Sequence, residues 1–248
     1  MTEKKQVGTI YMNDFQTKQE FVTVFTDSLA NHQSMNLYFL NDHGFNIAQK
    51  DHDYASVLNR ADYLLNDGIG IKLGAKLWGV TLEENLNGTD LIPLLLNECA
   101  ENNWSIYLLG STKENAQKSA QKLKEQHPKL TIAGTHSGYF SSSQEIVETI
   151  NRSSADVLLV GMGMPLQEKF IDGNSDVLKP LARIAVGGFI DFASGTKPRA
   201  PKVMRQLNLE WLFRMALEPR RMWKRNVVGH AQFFMKVIGL KWRHEHRK

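Results

Sequence analysis

An α/β fold, built on a mostly parallel sheet with helices on both faces, is the class this sequence predicts. Three observations predict it. Short apolar runs alternate with segments of helical spacing along most of the chain, which is the rhythm of βαβ units. The apolar runs are continuous, as expected of strands covered on both sides. Three of them end in glycine turns, at Gly110, at Gly161 and Gly163, and at Gly187 and Gly188. In open α/β sheets the ligand crevice lies at such carboxyl ends, so the architecture is Rossmann-like.

The elements follow in order. Asn36–Leu40 reads as a strand, Tyr54–Ala61 as a helix and Asp62–Leu65 as a strand. Ile69–Trp78 is helical, with Ile69, Leu73, Ala75, Leu77 and Trp78 apolar. Thr89 or Asp90 caps a helix over Thr89–Asn102 that carries Leu91, Ile92, Leu94, Leu95 and Cys99. Trp104–Leu109 is a strand. Lys113–Gln126 is a helix stopped by Pro128, and Leu130–Ala133 is a strand. Ser142–Asn151 is helical, Asp156–Val160 a strand, Pro165–Ile171 the start of a helix and Arg183–Val186 a strand. After about Gly195 strand signals cease, and Pro198, Pro201 and Pro219 punctuate two or three helices. Two units are therefore expected: an α/β domain over residues 1–195 and a helical appendage over 196–248.

Bulk properties narrow the function classes. At 248 residues and 42% apolar content the chain can bury a real core. A single cysteine, Cys99, excludes an internal disulfide and a cysteine zinc site, and a reducing compartment is the default. The first residues lack the apolar core of a signal peptide, and no run of 18 apolar residues predicts a membrane span. Charge is distributed unevenly. Lys197–Lys248 holds 14 Lys and Arg against 3 Asp and Glu, a balance of +11, whereas the preceding residues total −7. A basic tail of this kind suits phosphate, nucleic acid or a membrane surface. Nucleic acid is disfavoured, because no nucleic-acid module accompanies the charge.

Asp67 follows an apolar strand and precedes Gly68, Gly70 and a helical pattern. A carboxylate in a strand-turn-helix unit can be a turn residue, an N-cap, a ribose ligand or a catalytic base. Asp51-His52-Asp53 has the D-x-D form of a metal-diphosphate site, but it stands at a helix start, where aspartate caps the helix. No other cluster has metal-ligand spacing, so neither a metal nor another cofactor is expected. "GMGMP" is not the dinucleotide fingerprint. That argues against a nucleotide-dependent oxidoreductase and leaves a nucleotide-diphosphate site on glycine backbone and helix N-termini. Gln167, just past a strand end, can hydrogen-bond a sugar hydroxyl or stand on the surface. "EPRRMWKR" puts Arg221, Lys224 and Arg225 on one helical face, with Arg220 beside them, and such a face suits a diphosphate or anionic lipid. Over Gly229–Arg243 the spacing predicts Phe233, Phe234, Val237, Ile238 and Trp242 on one side and Lys236, Lys241 and Arg243 on the other. That pattern fits an interfacial helix or a packed one.

Several long stretches, among them "ADYLLNDGIGIKLGAKLWG", "NLNGTDLIPLL", "IYLLGS", "GTHSGYF", "ADVLLVGMGMPLQEKFI" and "VGGFIDFASGTKPRAPKVMRQLNLEWLFRMALEPRRMWKR", resemble the WecG/TagA/CpsF glycosyltransferases (glycosyltransferase family 26). The likeness runs from about Asn36 to Ile238. It implies an inverting, metal-independent transfer of a sugar, often N-acetylmannosaminyl or its uronic acid and in some members hexosyl, from a UDP-sugar. The acceptor it implies is a polyprenyl-diphosphate-linked saccharide at the cytoplasmic membrane face, in the synthesis of cell-surface polysaccharide.

On this resemblance Asp67 is the base and Gln167 a sugar contact. Arg214, Arg221 and Lys224 or Arg225 correspond to the family's C-terminal arginines. Donor and acceptor are expected to meet Asn41, His43, Asn66, Gly68, Asn87, Gly110, Gly163, Gln167 and Gly188. Arg214, Arg220, Arg221, Lys224 and Arg225 are expected to meet the diphosphate and the membrane. The sequence departs from the family at two points: Phe39 stands where many members have threonine, and Asn85 where the teichoic-acid branch has arginine. These changes bring a hexosyl donor into consideration, as well as a non-catalytic membrane scaffold that binds a nucleotide-sugar. A basic appendage can complete the site in cis or across a homo-oligomer boundary.

Overall fold

Six strands hydrogen-bond in the order β4-β3-β8-β7-β5-β6: β3 (Met35–Leu40), β4 (Tyr63–Asn66), β5 (Ser105–Gly110), β6 (Thr131–His136), β7 (Val157–Gly161) and β8 (Ala182–Ala185). All neighbouring pairs are parallel. The computed structural model describes residues 4–201, 203, 204, 210–217, 219 and 228–246; for Trp211 and Arg214 it describes the backbone alone.

Strand side chains alternate between two cores, as a period of two requires. Tyr38, Leu40, Leu64, Leu109, Leu158 and Val160 face one; Leu37, Phe39, Leu65, Leu108, Leu159 and Ile184 face the other. Helices α1 (Lys18–Ala30), α5 (Gly88–Glu101), α6 (Lys113–Gln126) and α9 (Phe189–Ala193) cover the second core. Helices α2 (Asp42–Ala48), α3 (His52–Arg60), α4 (Ile69–Trp78), α7 (Ser143–Arg152) and α8 (Leu166–Gly173) cover the first. The fold class expected from the sequence is the one observed.

Some elements carry no strand or helix expectation above. A hairpin of β1 (Lys4–Val7) and β2 (Ile10–Asn13) precedes the sheet. It turns at Gly8, whose φ of +63° favours glycine. Asn13 accepts the Leu64 N–H at 2.9 Å, so the hairpin shields the edge strand β4. Thr17 caps α1 by accepting from the Glu20 N–H at 3.1 Å, while Glu20 reaches back to the Gln16 N–H. This is close to the T-x-x-E box, a signal the sequence carries openly. Helix α5 starts one residue before the expected range, and its cap is Asn87 rather than Thr89 or Asp90.

Two C-terminal helices are described, α10 (Glu210–Leu217) and α11 (Gly229–Glu245). Phe233 of α11 is 0% exposed, packs edge-on to Phe45 of α2 with ring centroids 5.1 Å apart, and fills the notch that Gly74 leaves in α4. Asn46 donates to the Gly229 carbonyl at 2.8 Å, and Lys236 to the Asn46 carbonyl at 3.0 Å. The expected one-sided apolar face of α11 is corrected here. Phe233 and Val237 point inward, but Met235, Ile238 and Trp242 are exposed. At about 100° per residue, positions 238 and 242 turn away from 233 by roughly 140° and 180°. Among the described residues no helix is long and apolar enough to cross a membrane.

Chain direction locates the crevice. β5 leads through α6 to β6 on one side, whereas β7 leads through α8 to β8 on the other, and α6 and α8 lie on opposite faces. The switch point is thus between β5 and β7, where open sheets hold nucleotides.

Candidate active site at the carboxyl rim

Asp67 follows the last residue of β4, and its N–H donates to the Leu40 carbonyl at 2.8 Å. It therefore stands at the joined ends of two strands. Asn41 caps α2 by accepting the Gly44 N–H at 3.0 Å, which leaves its amide nitrogen to approach Asp67 Oδ2 at 3.5 Å. Gly68 has φ +102°, and a Cβ there would meet nothing within 4 Å, so this turn opens on free space. The N–H of Gly68 is taken from outside the turn by Asn85 Oδ1 at 2.9 Å. The half-buried carboxylate of Asp67 thus lies at the starts of α2 and α4, where two helix dipoles favour negative charge. His43 sits in the first turn of α2. Asp42 beside it pairs with His230 of α11 at 2.5 Å, which brings the C-terminal helix to the same rim. We expect Asn85→Ala to lower stability by about 1 kcal/mol, because it removes the acceptor that holds the turn after Asp67. Denaturant melts check this.

A second cluster forms at the switch point. Ser111 follows β5, and its hydroxyl hydrogen-bonds Asp191 of α9. Lys197 donates to the other carboxylate oxygen at 2.7 Å, and Asn115 donates to Ser111 Oγ at 3.1 Å. Burial pushes the Asp191 carboxyl up, but hydrogen bonds from Lys197 and Ser111 prevail and hold it below the usual range. The Gly138 N–H and Ser137 hydroxyl both donate to the Ser111 carbonyl, at 3.0 and 3.2 Å, and this loop displays Tyr139, 79% exposed. Asp191 and Tyr139 were not identified from sequence. Their signal is weak: an acid in the first turn after a rim glycine, and an aromatic after a strand end.

Gln167 is 3% exposed. Its Oε1 accepts the N–H groups of Gly163 at 3.2 Å and Gly187 at 3.0 Å, which bridges the turns after β7 and β8. Backbone N–H groups only donate, so the amide orientation is determined, and Nε2 donates to Glu168 Oε1 at 2.8 Å. Burial pushes the Glu168 carboxyl up to about 7, against hydrogen bonds from Gln167 and the backbone that lower it. The folded protein therefore holds this proton more tightly than the unfolded chain. The stability contribution is complete below about 4.5 and is lost as pH rises through about 7. Urea unfolding of the wild type should show that fall, and Glu168→Gln should remove it.

The remaining candidates are more structural in their contacts. Asn66 is buried, and its amide donates to the Glu84 carbonyl at 2.9 Å. The Asn87 side chain caps α5 and donates to Asp90, which in turn pairs with Arg199. At Gly110 a Cβ would collide with the Gly161 carbonyl, so strand packing demands glycine there. Gly163, with φ +82°, opens on free space like Gly68, and Gly188 caps α9. Asp51 of the D-x-D triplet is a helix cap, accepting the Tyr54 N–H at 2.9 Å. Among the described residues no group of three or more His, Cys, Asp or Glu could hold a metal. The side chain of Arg214, and Arg220, Arg221, Lys224 and Arg225 entirely, lie outside the described residues.

Comparison with known proteins identifies the family. A model of the "Glycosyl transferase WecG/TagA/CpsF family" matches residues 7–247. The N-acetylglucosaminyldiphosphoundecaprenol N-acetyl-beta-D-mannosaminyltransferase of Bacillus subtilis is 35% identical over 178 residues, covering 72% of this chain and 69% of that protein. Its namesake in Bacillus spizizenii is 32% identical with the same coverage. The one in Staphylococcus aureus is 29% identical over 215 residues, 86% of this chain and 83% of that protein.

Proposed function

The chain belongs to the WecG/TagA/CpsF family of glycosyl transferases, and from that premise we propose that it moves a sugar from a UDP-sugar to a polyprenyl-diphosphate-linked saccharide with inversion. The relatives' names support the acceptor class. The observation that carries the reading is Asp67, half-buried at the rim where β3 and β4 end and α2 and α4 begin. In a single displacement the acceptor oxygen attacks the anomeric carbon and the bond to the UDP β-phosphate breaks. Asp67 takes the hydroxyl proton, and UDP leaves with the bonding pair.

The switch-point cluster suits the nucleotide. Asp191 and Ser111 offer partners for ribose hydroxyls, and the exposed Tyr139 ring offers a face to the base. The open turns at Gly68 and Gly163 leave room for the diphosphate to approach the backbone, although the N–H groups of these two glycines are held by Asn85 and Gln167. Arg214, Arg221, Lys224 and Arg225 would add the cationic clamp. The donor sugar is N-acetylmannosaminyl, or a hexosyl or uronosyl group; the relatives' names favour the first, and the departures from the family pattern at Phe39 and Asn85 keep the others in play. No metal is needed in this scheme.

The same reading has residues 196–248 act as an appendage that brings the enzyme to the inner membrane surface. Helices α4 and α11 expose Ile69, Leu73, Leu77, Met235, Ile238 and Trp242. Between them they carry five Lys or Arg and one carboxylate, Glu245, a composition that suits an anionic lipid surface.

The test is to incubate the full chain with EDTA, a lipid-linked N-acetylglucosaminyl diphosphate acceptor in detergent, and UDP-N-acetylmannosamine or UDP-glucose in turn. Mass spectrometry reads the adduct, and NMR reads the anomeric configuration. We expect one donor to yield a single inverted glycoside. Absence of product from every UDP-sugar, with no UDP binding by calorimetry, would overturn the reading.

A further inference from the structure

Glu168 is used by no step above, yet it is 0% exposed and occupies the helix start beside the crevice. Burying a carboxyl is costly unless its oxygens are satisfied. Here Oε1 receives the Gln167 amide at 2.8 Å, while Oε2 is buried with no hydrogen-bond partner. A core position that needed only volume would hold leucine or methionine. What the carboxyl adds is an acceptor aimed at one amide.

That amide has an unusual load. Gln167 Oε1 alone gathers two backbone N–H groups, from Gly163 and Gly187, and those residues form the turns at the mouths of β7 and β8. Without an acceptor for Nε2, a long flexible side chain would have to hold both turns with three free torsions. With Glu168 in place, the Gln167 side chain is pinned at both ends of its amide.

We propose that Glu168 is a positioning residue: by accepting from Gln167 it sets the amide that holds the Gly163 and Gly187 turns, and so shapes the crevice wall. Protonation state enters through the second oxygen. Neutral, the carboxyl keeps Oε1 as the acceptor and its proton on Oε2. Ionised, it carries a buried charge whose second oxygen has no donor, so the group must draw the amide or another donor toward itself, and the clamp shifts.

The charged and titratable groups on the packed elements do not neutralise that charge. On α3, Tyr54 has a buried hydroxyl without a partner, while Asp51 and Asp53 are engaged by Lys169 at 2.9 and 2.8 Å and Arg60 pairs with Asp172. On β3, the Tyr38 hydroxyl donates to the Glu168 main-chain carbonyl at 3.4 Å. On β8, Arg183 donates to the carbonyls of Ser175 and Leu178. The two phenols are raised above their usual range, mainly by burial, and remain neutral.

The effect on the crevice is independent of the reaction assigned to it; the effect on rate rests on the glycosyl-transfer reading. Amide hydrogen exchange therefore comes first, on the full chain with Glu168→Gln and Glu168→Leu. Glu168→Leu should speed exchange at Gly163 and Gly187 by roughly two- to tenfold each, the worth of one net hydrogen bond, with the interiors of β7 and β8 unchanged. Glu168→Gln keeps an acceptor and should restore the protection. In the wild type, protection at the two glycines, corrected for intrinsic exchange, should change between pH 6 and 8, and in Glu168→Gln it should be flat.

If Glu168→Leu does not fold, the wild type against Glu168→Gln decides the matter. Protection at the two glycines that is flat with pH in the wild type, or equally pH-dependent in both proteins, overturns the proposal. So does a Glu168→Leu protein with unchanged glycines, or with uniform loss across both strands. On the transfer reaction, Glu168→Leu should raise the donor KM more than it lowers kcat, and Glu168→Gln should shift only the pH profile. These rates test the coupling to catalysis, and their failure would leave the exchange result standing.

Discussion

Replacing Asp67 with asparagine should lower kcat by roughly 10²–10⁴-fold, the usual worth of a positioned general base, while UDP binding and the melting temperature stay close to wild type. The Asp67 backbone explains the second half of this expectation. Its N–H holds the Leu40 carbonyl, Gly68 makes the turn and Asn85 secures it, and none of these contacts uses the carboxylate. The approach of the Asn41 amide to Oδ2 at 3.5 Å is at the limit of a hydrogen bond. Asparagine can keep an oxygen facing Asn41 and cannot take a proton. Single-turnover rates on the lipid-linked acceptor, beside calorimetric UDP titration, separate the two effects. Equal turnover by a fully exchanged asparagine variant would remove Asp67 from the chemistry.

The second large effect is on the C-terminal helix. Phe233→Ala should weaken the docking of α11 by about 3–5 kcal/mol. The ring is fully buried, edge-on to Phe45 and seated at Gly74, so its removal leaves a cavity between α2, α4 and α11. The remaining links include the buried Val237, the His230–Asp42 pair and the hydrogen bonds of Asn46, Lys236 and Lys241, each worth less than the lost burial. Limited proteolysis should then cut near α11 with the α/β body intact. Gly74→Ala should act in the same direction, because its new Cβ meets the Phe233 ring. Combined with Phe233→Ala it should cost little more, since the colliding ring is gone. That non-additivity is the signature of direct contact. Protection of α11 in the single Phe233→Ala variant would refute the packing assigned to it.

Much of this protein was legible before folding. Most strands of the main sheet announced themselves as continuous apolar runs, because a strand covered on both faces needs no polar alternation; the edge strand β6 runs on to His136, past the expected end at Ala133, because its half-exposed Gly134, Thr135 and His136 carry no apolar signal. The rim followed from glycines at the strand ends, and Asp67 from its place between a strand and a helix. The hairpin was harder to read: its two four-residue strands mix Lys4, Lys5 and Gln6 with a few apolar residues, because only one side is covered. Helix α1 had its signal in Thr17 and Glu20, four positions inclusive, followed by Phe21, Val22, Phe25 and Leu29. Helix α2 is too short at seven residues to show a period. That is why nothing in the sequence announced that Asn41, expected as a ligand contact, also caps a helix, or that Asp42 holds His230.

By itself, then, the sequence determined the class of fold, the carboxyl rim, the helix cap at Asp51 and the position of Asp67, because these depend on periodicity and on neighbours a few residues apart. Tertiary structure alone decided which distant groups meet. Strand order brings Ser111 to Asp191 across 80 positions and Gln167 to Gly187 across 20. Packing on α2 and α4 turned Phe233 inward and Trp242 outward on a helix whose composition allowed either face to be buried. The physical reason is range: local spacing states which side chains can share a face, whereas the partner of a face or of a buried polar atom is set by long-range burial of apolar surface and the hydrogen bonds that burial makes obligatory.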